Sequence, residues 1–435
     1  MANPNGSRMR WMMVMMVFLG TAINYIDRAN LGWAMEPLSK EFGIAPTDAG
    51  LILGSFFITY AIFQLPSGWF VDKVGPRLAY TVAIIWWSLL TAATAIARGF
   101  SSLFGFRLLL GIGEAPAYPT NAKVVSEWFP KTERAFATSI FDSGSRGGTV
   151  IANLICPIII ANMGWRSSFV ITGAVGVAWA IAWWWMYKRP AEHPWASQAE
   201  RDYIAAGQVK AEPVTKVPWL SLFKYRTVWG MMIGFFCLNF VMYFFITWFP
   251  TYLIKARGFT MMKMGYIPMI PPLVGMIMGW IGGLTSDRLV KSGMRLNWAR
   301  KIPIVAGMAV SSCIALAVIV PSSTQAIALL ALCNGAICFA AASIWSLPAD
   351  VAPTKGHVAS IGGIQNFASN TAGVLITFVI GKLFQKTGSF VLPLVLAGCF
   401  GMLGALSYLF IVPEIEPLKI EPEGTRESEI KTAAA

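Results

Sequence analysis

Residues 60–77 read YAIFQLPSGWFVDKVGPR, an apolar run that passes a Pro-Ser-Gly step and ends on Asp72, Lys73 and Arg77. A helix leaving hydrocarbon for water has this pattern: the apolar run stops, charge begins, and Gly75-Pro76 turns the chain tightly into the next apolar run. The pattern returns half a chain length later as GWIGGLTSDRLVKSG at residues 279–293, where Gly283 and Asp287 take the register of Gly68 and Asp72. A duplicated charged turn between apolar helices predicts two structurally equivalent halves.

Composition agrees with hydrocarbon as the solvent. Of the 435 residues 56% are hydrophobic and 13% charged, about half the charged share of a soluble domain. The formal net charge of +13 does not mark a nucleic-acid binder, because the basic residues sit at the ends of apolar segments and form no basic-aromatic patch. No cysteine or histidine spacing suggests a metal site, and the six cysteines lie in apolar stretches as packing residues. No nucleotide motif and no nucleophile–base pair supports an enzyme. The first apolar segment reads as a span of the mature chain, without a leader-peptide cleavage pattern.

Twelve apolar segments follow, each long enough to cross about 30 Å of hydrocarbon. The predicted fold is an all-α polytopic membrane protein with twelve transmembrane helices in two six-helix halves. Its parts are an N-terminal bundle at 1–187, a polar linker at 188–226, a C-terminal bundle at 227–412 and a flexible charged tail at 413–435. The linker carries Ser197 and Glu200 in capping-box spacing, the signature of a short surface helix. Lys73, Arg77, Lys131, Arg134, Arg288, Lys291, Arg295, Arg300, Lys301 and Lys355 all fall on one side, which places both termini in the cytoplasm.

Charges inside the spans point to function. NYIDRANLG sets Asp27 and Arg28 deep in the first span, where an anchoring helix would avoid both. Adjacent residues on a helix do not face each other, so each needs a partner elsewhere. In the fourth span, residues 102–126, FRLLLGIGEAPAYPTN places Arg107, Gly111, Glu114 and Tyr118 along one face. Asp142 and Arg146 open the fifth span in IFDSGSRGG, spaced to pair with each other or to leave Arg146 for an anion. The second half offers neutral polar groups instead, among them Tyr243, Ser346, Gln365 and Asn366. The expected cavity is therefore asymmetric, ionisable on one wall and hydrogen-bonding on the other. The duplicated Asp72 and Asp287, with Arg77, Asp142 and Arg288, are expected to hold one closed state through helix termini and ion pairs.

Taken together, NYIDRANL, GWFVDKVGPR, FRLLLGIGEAPAYPTN and YFFITWFPTYL resemble the major facilitator superfamily. Within it they resemble the anion:cation symporter group of bacterial galactonate, glucarate and hexuronate transporters, sialin and the vesicular glutamate carriers. The resemblance covers nearly all spans. It implies proton coupling at Asp27 and Glu114, a substrate-carboxylate anchor at Arg28, and an arginine at Arg107 that couples the fourth-span charges to the pocket. It also implies pocket-lining positions at Tyr25, Tyr60 and Asn366. The chain departs from the galactonate branch in FDSGSR, where that branch carries Gln after Ser-Gly and this chain has Ser145 followed by Arg146, and in the GGIQNFASN stretch of the second half.

The expected function is proton-coupled symport of an organic carboxylate, a sugar acid such as galactonate, glucarate or a hexuronate, across the bacterial inner membrane by a functional monomer. No cofactor is expected; the proton is the coupling ion, and the partners are a small organic anion and membrane lipid. An aromatic carboxylate or dicarboxylate, sodium coupling, anion exchange, and a non-transporting receptor or scaffold are the alternatives.

Overall fold

A computed structural model of the protein describes residues 8–207, 219–258 and 267–418. All regular structure among these residues is helical, and the helices follow the apolar segments. In the first half they are α1 (Met9–Phe42), α2 (Pro46–Val74) and α3 (Pro76–Ala93), then α4 in two pieces, Phe100–Glu114 and Ala117–Trp128. The helical run Arg134–Met186 is broken at Gly164, whose φ of 80° is left-handed and open to glycine at little cost; it supplies α5 and α6. In the second half come α7 (Arg226–Thr247, continued by Phe249–Arg257), α8 (Ile270–Lys291) and α9 (Leu296–Ser311, extended by Ser312–Val318). Next is α10 (Ser323–Ile344, then Leu347–Val351), and the bundle closes with α11 (Val358–Thr387) and α12 (Val391–Leu406).

Eight helical runs are long and apolar enough to span a membrane, and the run Arg134–Met186 does so twice. The two-piece α4, α8 and α11 complete the twelve. The fourth span is thus not the single helix expected over 102–126. Pro116 interrupts it, and the helix restarts at Ala117.

Small residues set how closely the helices pack, as expected where lipid removes the hydrophobic drive between them. Gly144 and Gly148 of α5 leave no room for a Cβ against Phe18 O and the Ala22 backbone of α1. The halves meet where α2 packs on α11 and α5 packs on α8. Large apolar side chains such as Ile58, Ile62, Leu89, Leu154 and Ile158 point outward and are more than half exposed, as a lipid-facing surface requires.

The first and last described residues share one face. Arg10 at the start of α1 pairs with Glu133 before α5 (3.0 Å), and Glu133 also reaches Lys291 at the end of α8 (3.9 Å). The linker helix Gln198–Ala206 forms as its capping signal predicts, with Ser197 Oγ accepting from Glu200 N at 3.2 Å. Glu200 in turn accepts from Met9 N and Arg10 N (both 3.1 Å), so its carboxylate caps the N-terminus of α1.

The expected flexible tail begins differently. Ile415 N donates to Asn297 Oδ1 (3.1 Å), Leu418 N donates to Val351 O (2.9 Å), and Ile415 is buried. Residues 413–418 are therefore held on the second half. Backbone donors that find acceptors on the body, plus one apolar anchor, explain the difference. The remainder of the tail, 419–435, lies outside the described residues, as does the linker stretch 208–218.

Candidate functional site

At the terminus-bearing face the duplicated motif forms a two-fold latch. Asp72, ending α2, accepts from Ala359 N (3.2 Å), Ser360 N (2.7 Å) and Ser360 Oγ (2.7 Å) at the start of α11. Asp287, ending α8, accepts from Ala135 N (3.2 Å) and Phe136 N (2.8 Å) at the start of α5. Each half thus places a carboxylate on the free N–H groups of a helix in the other half, where the helix dipole favours negative charge. The motif glycines make the approach possible. A Cβ on Gly68 would strike Ala359 O and lie 2.8 Å from Ser360 Cα, and one on Gly283 would lie 2.7 Å from Ala135 O.

A buried ion network backs the latch. Lys123 Nζ donates to Asp72 (2.8 Å), Arg300 Nη1 to Asp287 (2.9 Å), Arg300 Nε to Asp350 (2.8 Å) and Arg134 Nη1 to Asp350 (2.9 Å). Arg134–Asp350 joins the halves directly. Lys123, Arg134, Arg300 and Asp350 are the residues sequence reasoning missed in this role, since it used Arg134 and Arg300 only for topology and gave Lys123 and Asp350 no role. No linear motif marks them, because their partners lie far away in the chain.

Three expected latch residues sit elsewhere, and one of them, Asp142, pairs with Arg146 on its own helix. Arg288 is exposed and pairs with no carboxylate among the described residues; Arg300, one turn into α9, takes the position beside Asp287. Helix geometry explains this, because residue 288 points a full 100° away from its neighbour 287. Arg77 remains within its own half. Its Nε and Nη2 donate to Trp184 O (3.0 and 2.7 Å) at the C-terminal end of α6, and its guanidinium lies over the Trp184 ring. It caps a helix C-terminus and forms no bond across the halves among the described residues.

Halfway along the helices lies the second cluster. Arg28 Nε donates to Glu114 Oε2 at 2.7 Å, so the partner Arg28 requires comes from α4. Its guanidinium carbon lies 4.8, 4.7 and 4.5 Å from the ring centres of Tyr25, Phe56 and Tyr60, an aromatic cradle for a cation. Arg107 is buried against Phe56, and its guanidinium has no hydrogen bond among the described residues. Asp27 is buried with neither oxygen bonded, although Thr91 and Thr172 are beside it. Gly111 serves helix contact: a Cβ there would lie 3.0 Å from Tyr60 N and would strike Phe56 O.

These orphaned groups are concentrated. Asn24, Asp27, Arg28 Nη2, Gln64, Arg107 Nε and Glu114 Oε1 all lack partners and lie on α1, α2 and α4. Buried polar groups are normally satisfied, so such a concentration reads as a site built for something other than the resting fold. Asn24 and Gln64 thus share the unpaired state of the ionisable groups expected in the first half.

The opposite wall is tighter than expected. Tyr243 OH donates to Asn370 Oδ1 (3.1 Å) and is close enough to Tyr25, Tyr60 and Arg28 to feel them electrostatically. Asn366 Nδ2 and Gln365 Oε1 are buried and unpaired. Ser346 is buried with its hydroxyl on Ser343 O (2.7 Å), so it offers only a lone pair. The walls meet where Tyr118 of α4 stacks at a tilt on Trp345 of α10, 4.9 Å between centroids, and where Tyr118 OH lies 3.5 Å from Tyr25 OH. Asp142 and Arg146 do pair, at 3.0 Å, and Arg146 Nη2 reaches Cys338 Sγ of α10 at 2.9 Å.

A family model described as Major Facilitator Superfamily matches residues 17–377. The chain belongs to this superfamily. Solved superfamily structures share its fold. The proton:xylose symporter XylE, with 6-bromo-6-deoxy-D-glucose bound, superposes with a TM-score of 0.71 at 16% identity over 94% of this chain and 97% of its own. FucP in its outward conformation gives 0.66 at 14% identity over 93% and 99%. Among superfamily relatives, the D-galactonate transporter of Escherichia coli O6:H1 is 35% identical over 94% of this chain and 97% of its own. The hexuronate transporter of Bacillus subtilis is 33% identical over 95% and 96%. The protein is accordingly a multi-pass membrane transporter of this superfamily.

Proposed function

We propose that the protein is a proton-coupled symporter of an organic carboxylate, a sugar acid of the galactonate, glucarate or hexuronate kind, working by alternating access in the bacterial inner membrane. The single observation carrying this reading is the buried cluster Asp27, Arg28, Arg107 and Glu114. Arginine presents a planar fork of donors suited to a carboxylate. Arg28 has one arm on Glu114 and another unpaired, so an incoming carboxylate can displace Glu114. The freed Glu114 and the unpaired Asp27 are the two groups able to carry a proton in exchange, which ties substrate binding to charge. The relatives named as D-galactonate and hexuronate transporters support the same substrate class.

In this reading the latched, terminus-bearing face is cytoplasmic, with both chain ends inside. Residues 1–187 and 227–412 are the two bundles that rock, with 188–226 the linker and 413–435 the tail. Substrate and proton arrive from outside, the latch breaks, and both leave on the cytoplasmic side. The unit that does this is a monomer.

The test is uptake into proteoliposomes of radiolabelled D-galactonate, D-glucarate and D-glucuronate under an inward proton gradient, an inward sodium gradient or neither. Stimulation of at least one sugar acid by protons alone, lost in Glu114→Gln, is the expected result. Uptake indifferent to the proton gradient, or driven by sodium, would overturn the coupling.

A further inference from the structure

The arginines of the latch and of the mid-membrane cluster fall into two kinds. Arg300 has every guanidinium nitrogen on oxygen: Nε is on Asp350, Nη1 on Ser286 and Asp287, and Nη2 on Lys131 O. Arg134 has too, with Nε on Phe129 O, Nη1 on Ala349 O and Asp350, and Nη2 on Ser126 O. Both are structural. Arg28 holds one carboxylate oxygen and leaves Nη2 unpaired. Arg146 belongs with Arg28. Its Nη1 holds a single oxygen of Asp142 (3.0 Å), its Nη2 has only the weak acceptor Cys338 Sγ (2.9 Å), and its Nε has no partner among the described residues. A guanidinium fork is matched by two carboxylate oxygens, and Arg146 has one.

Arg107 also lacks hydrogen-bond partners among the described residues, but it is buried beside Arg28, whereas Arg146 lies on another helix and is connected to Arg28 through two tyrosines. Tyr25 lies under Arg28, Tyr25 OH is 3.5 Å from Tyr118 OH, and Tyr118 is close enough to Asp142 and Arg146 to interact with both. The side chains of Arg28, Arg146 and Asp142 keep 14%, 17% and 19% of their surface open, so they border accessible space. A plain i,i+4 surface pair would be far more exposed, like Lys40–Glu36 at 76% and 78%.

We propose that the site takes a dicarboxylate: one carboxylate on Arg28 in place of Glu114, the other on Arg146 in place of Asp142, with the Tyr25–Tyr118 pair between. Asp142 is then a resident stand-in for the second carboxylate. Because Arg146 of α5 also contacts α10 through Cys338, the second head is sensed by both halves. The inference rests on the carboxylate-transport reading above and names its substrate class.

Binding to the purified full-length protein, measured by isothermal titration with two matched pairs, tests it. Galactarate and D-galactonate differ only in a terminal carboxylate against a hydroxymethyl group; terephthalate and benzoate differ only in the second carboxylate, carried on the opposite side of the ring. A charged hydrogen-bonding head corresponds to a preference of about 10- to 100-fold for the diacid of at least one pair. Arg146→Gln should shrink that ratio by at least tenfold. Asp142→Asn, which keeps the side-chain shape, should raise it by several fold because the competitor is gone. Equal binding of diacid and monoacid in both pairs, or a ratio unmoved by Arg146→Gln, would overturn the proposal while leaving carboxylate transport standing. A fall in the ratio with Asp142→Asn would show the pair to be structural and overturn it likewise. Binding of none of the four by folded protein would sink both readings.

Discussion

Asp287→Asn is the sharpest perturbation of the latch. Asp287 uses both oxygens as acceptors: Oδ1 takes Ala135 N and Arg300 Nη1, and Oδ2 takes Phe136 N. An asparagine must turn its NH2 toward one of those donors, so at least one charge-assisted bond becomes a donor facing a donor. That loss is about 1.5–3 kcal/mol. Removing the charge from the N-terminus of α5 adds about 0.3–1 kcal/mol. The closed state therefore weakens by roughly 2–4 kcal/mol relative to the open one, a population shift of about 30- to 700-fold. Arg300 keeps Asp350 at 2.8 Å, so the substitution leaves no stranded cation and the fold survives. Asp72→Asn shifts the same equilibrium but also strands Lys123, which is buried, at a further cost of roughly 3–5 kcal/mol. Asp72→Asn with Lys123→Met isolates the latch term. The assay is electron-spin distance measurement between labels at Arg189 and Arg288, both exposed, with exposed Cys399 replaced by serine. A new, longer distance in Asp287→Asn and in the Asp72 double variant is expected. Unchanged distances in both would refute the latch.

Gly68→Ala and Gly283→Ala should open the same face without touching a charge, because either Cβ meets backbone of the other half; the same label pair reads this, and no lengthening in either variant would count against it. Arg28→Lys should lower uptake about 10- to 100-fold, since an ammonium keeps the charge but loses the fork; uptake at the wild-type rate would remove Arg28 as the anchor. Gly111→Ala forces α2 and α4 apart at Phe56 and Tyr60 and should cost about 1–3 kcal/mol of stability, read as a lowered melting temperature in detergent. His193 lies outside the spans, and burial lowers its pKa from the usual 6.5. Its neutral form is thus favoured in the folded state, and its contribution is present above pH 6.5 and lost on acidification below it. Replacing His193 with glutamine should flatten the fall in melting temperature between pH 7 and pH 5, and an unchanged slope would refute that assignment.

Much of the fold was legible because its signals are local. Apolar length fixes the spans, the polar interruption separates the halves, and the recurrence of the glycine and aspartate pair reveals their equivalence. The break at Gly164 hid nothing, since the two spans are each apolar. Pro116 was visible, but a proline in a span can kink or interrupt, and only packing decides which. The start of the tail, 413–418, differs from the expectation because composition reports the average polarity of 413–435, whereas Ile415 and two backbone donors suffice to bind these first residues to the body.

The site was legible in membership and illegible in pairing, for a physical reason. A charge inside a span is expensive wherever it sits, so Asp27, Arg28, Arg107 and Glu114 stand out against an apolar background. Which charge meets which depends on the rotation of separate helices, information that no single segment carries. Arg28 finds Glu114, and Arg300 takes the position that adjacency suggested for Arg288. Counting satisfied donors then sorts the charges by purpose. On the latch face Arg134 and Arg300 have every guanidinium nitrogen on oxygen, which resists motion until the whole network yields. At mid-membrane Arg28, Arg107 and Arg146 are left incomplete among the described residues, as are Asp27 and Glu114. A carrier needs both kinds. In the cycle proposed above, the fully engaged pairs would make one conformation long-lived, and the incomplete ones would leave bonds for an anion and a proton to form in the transition out of it.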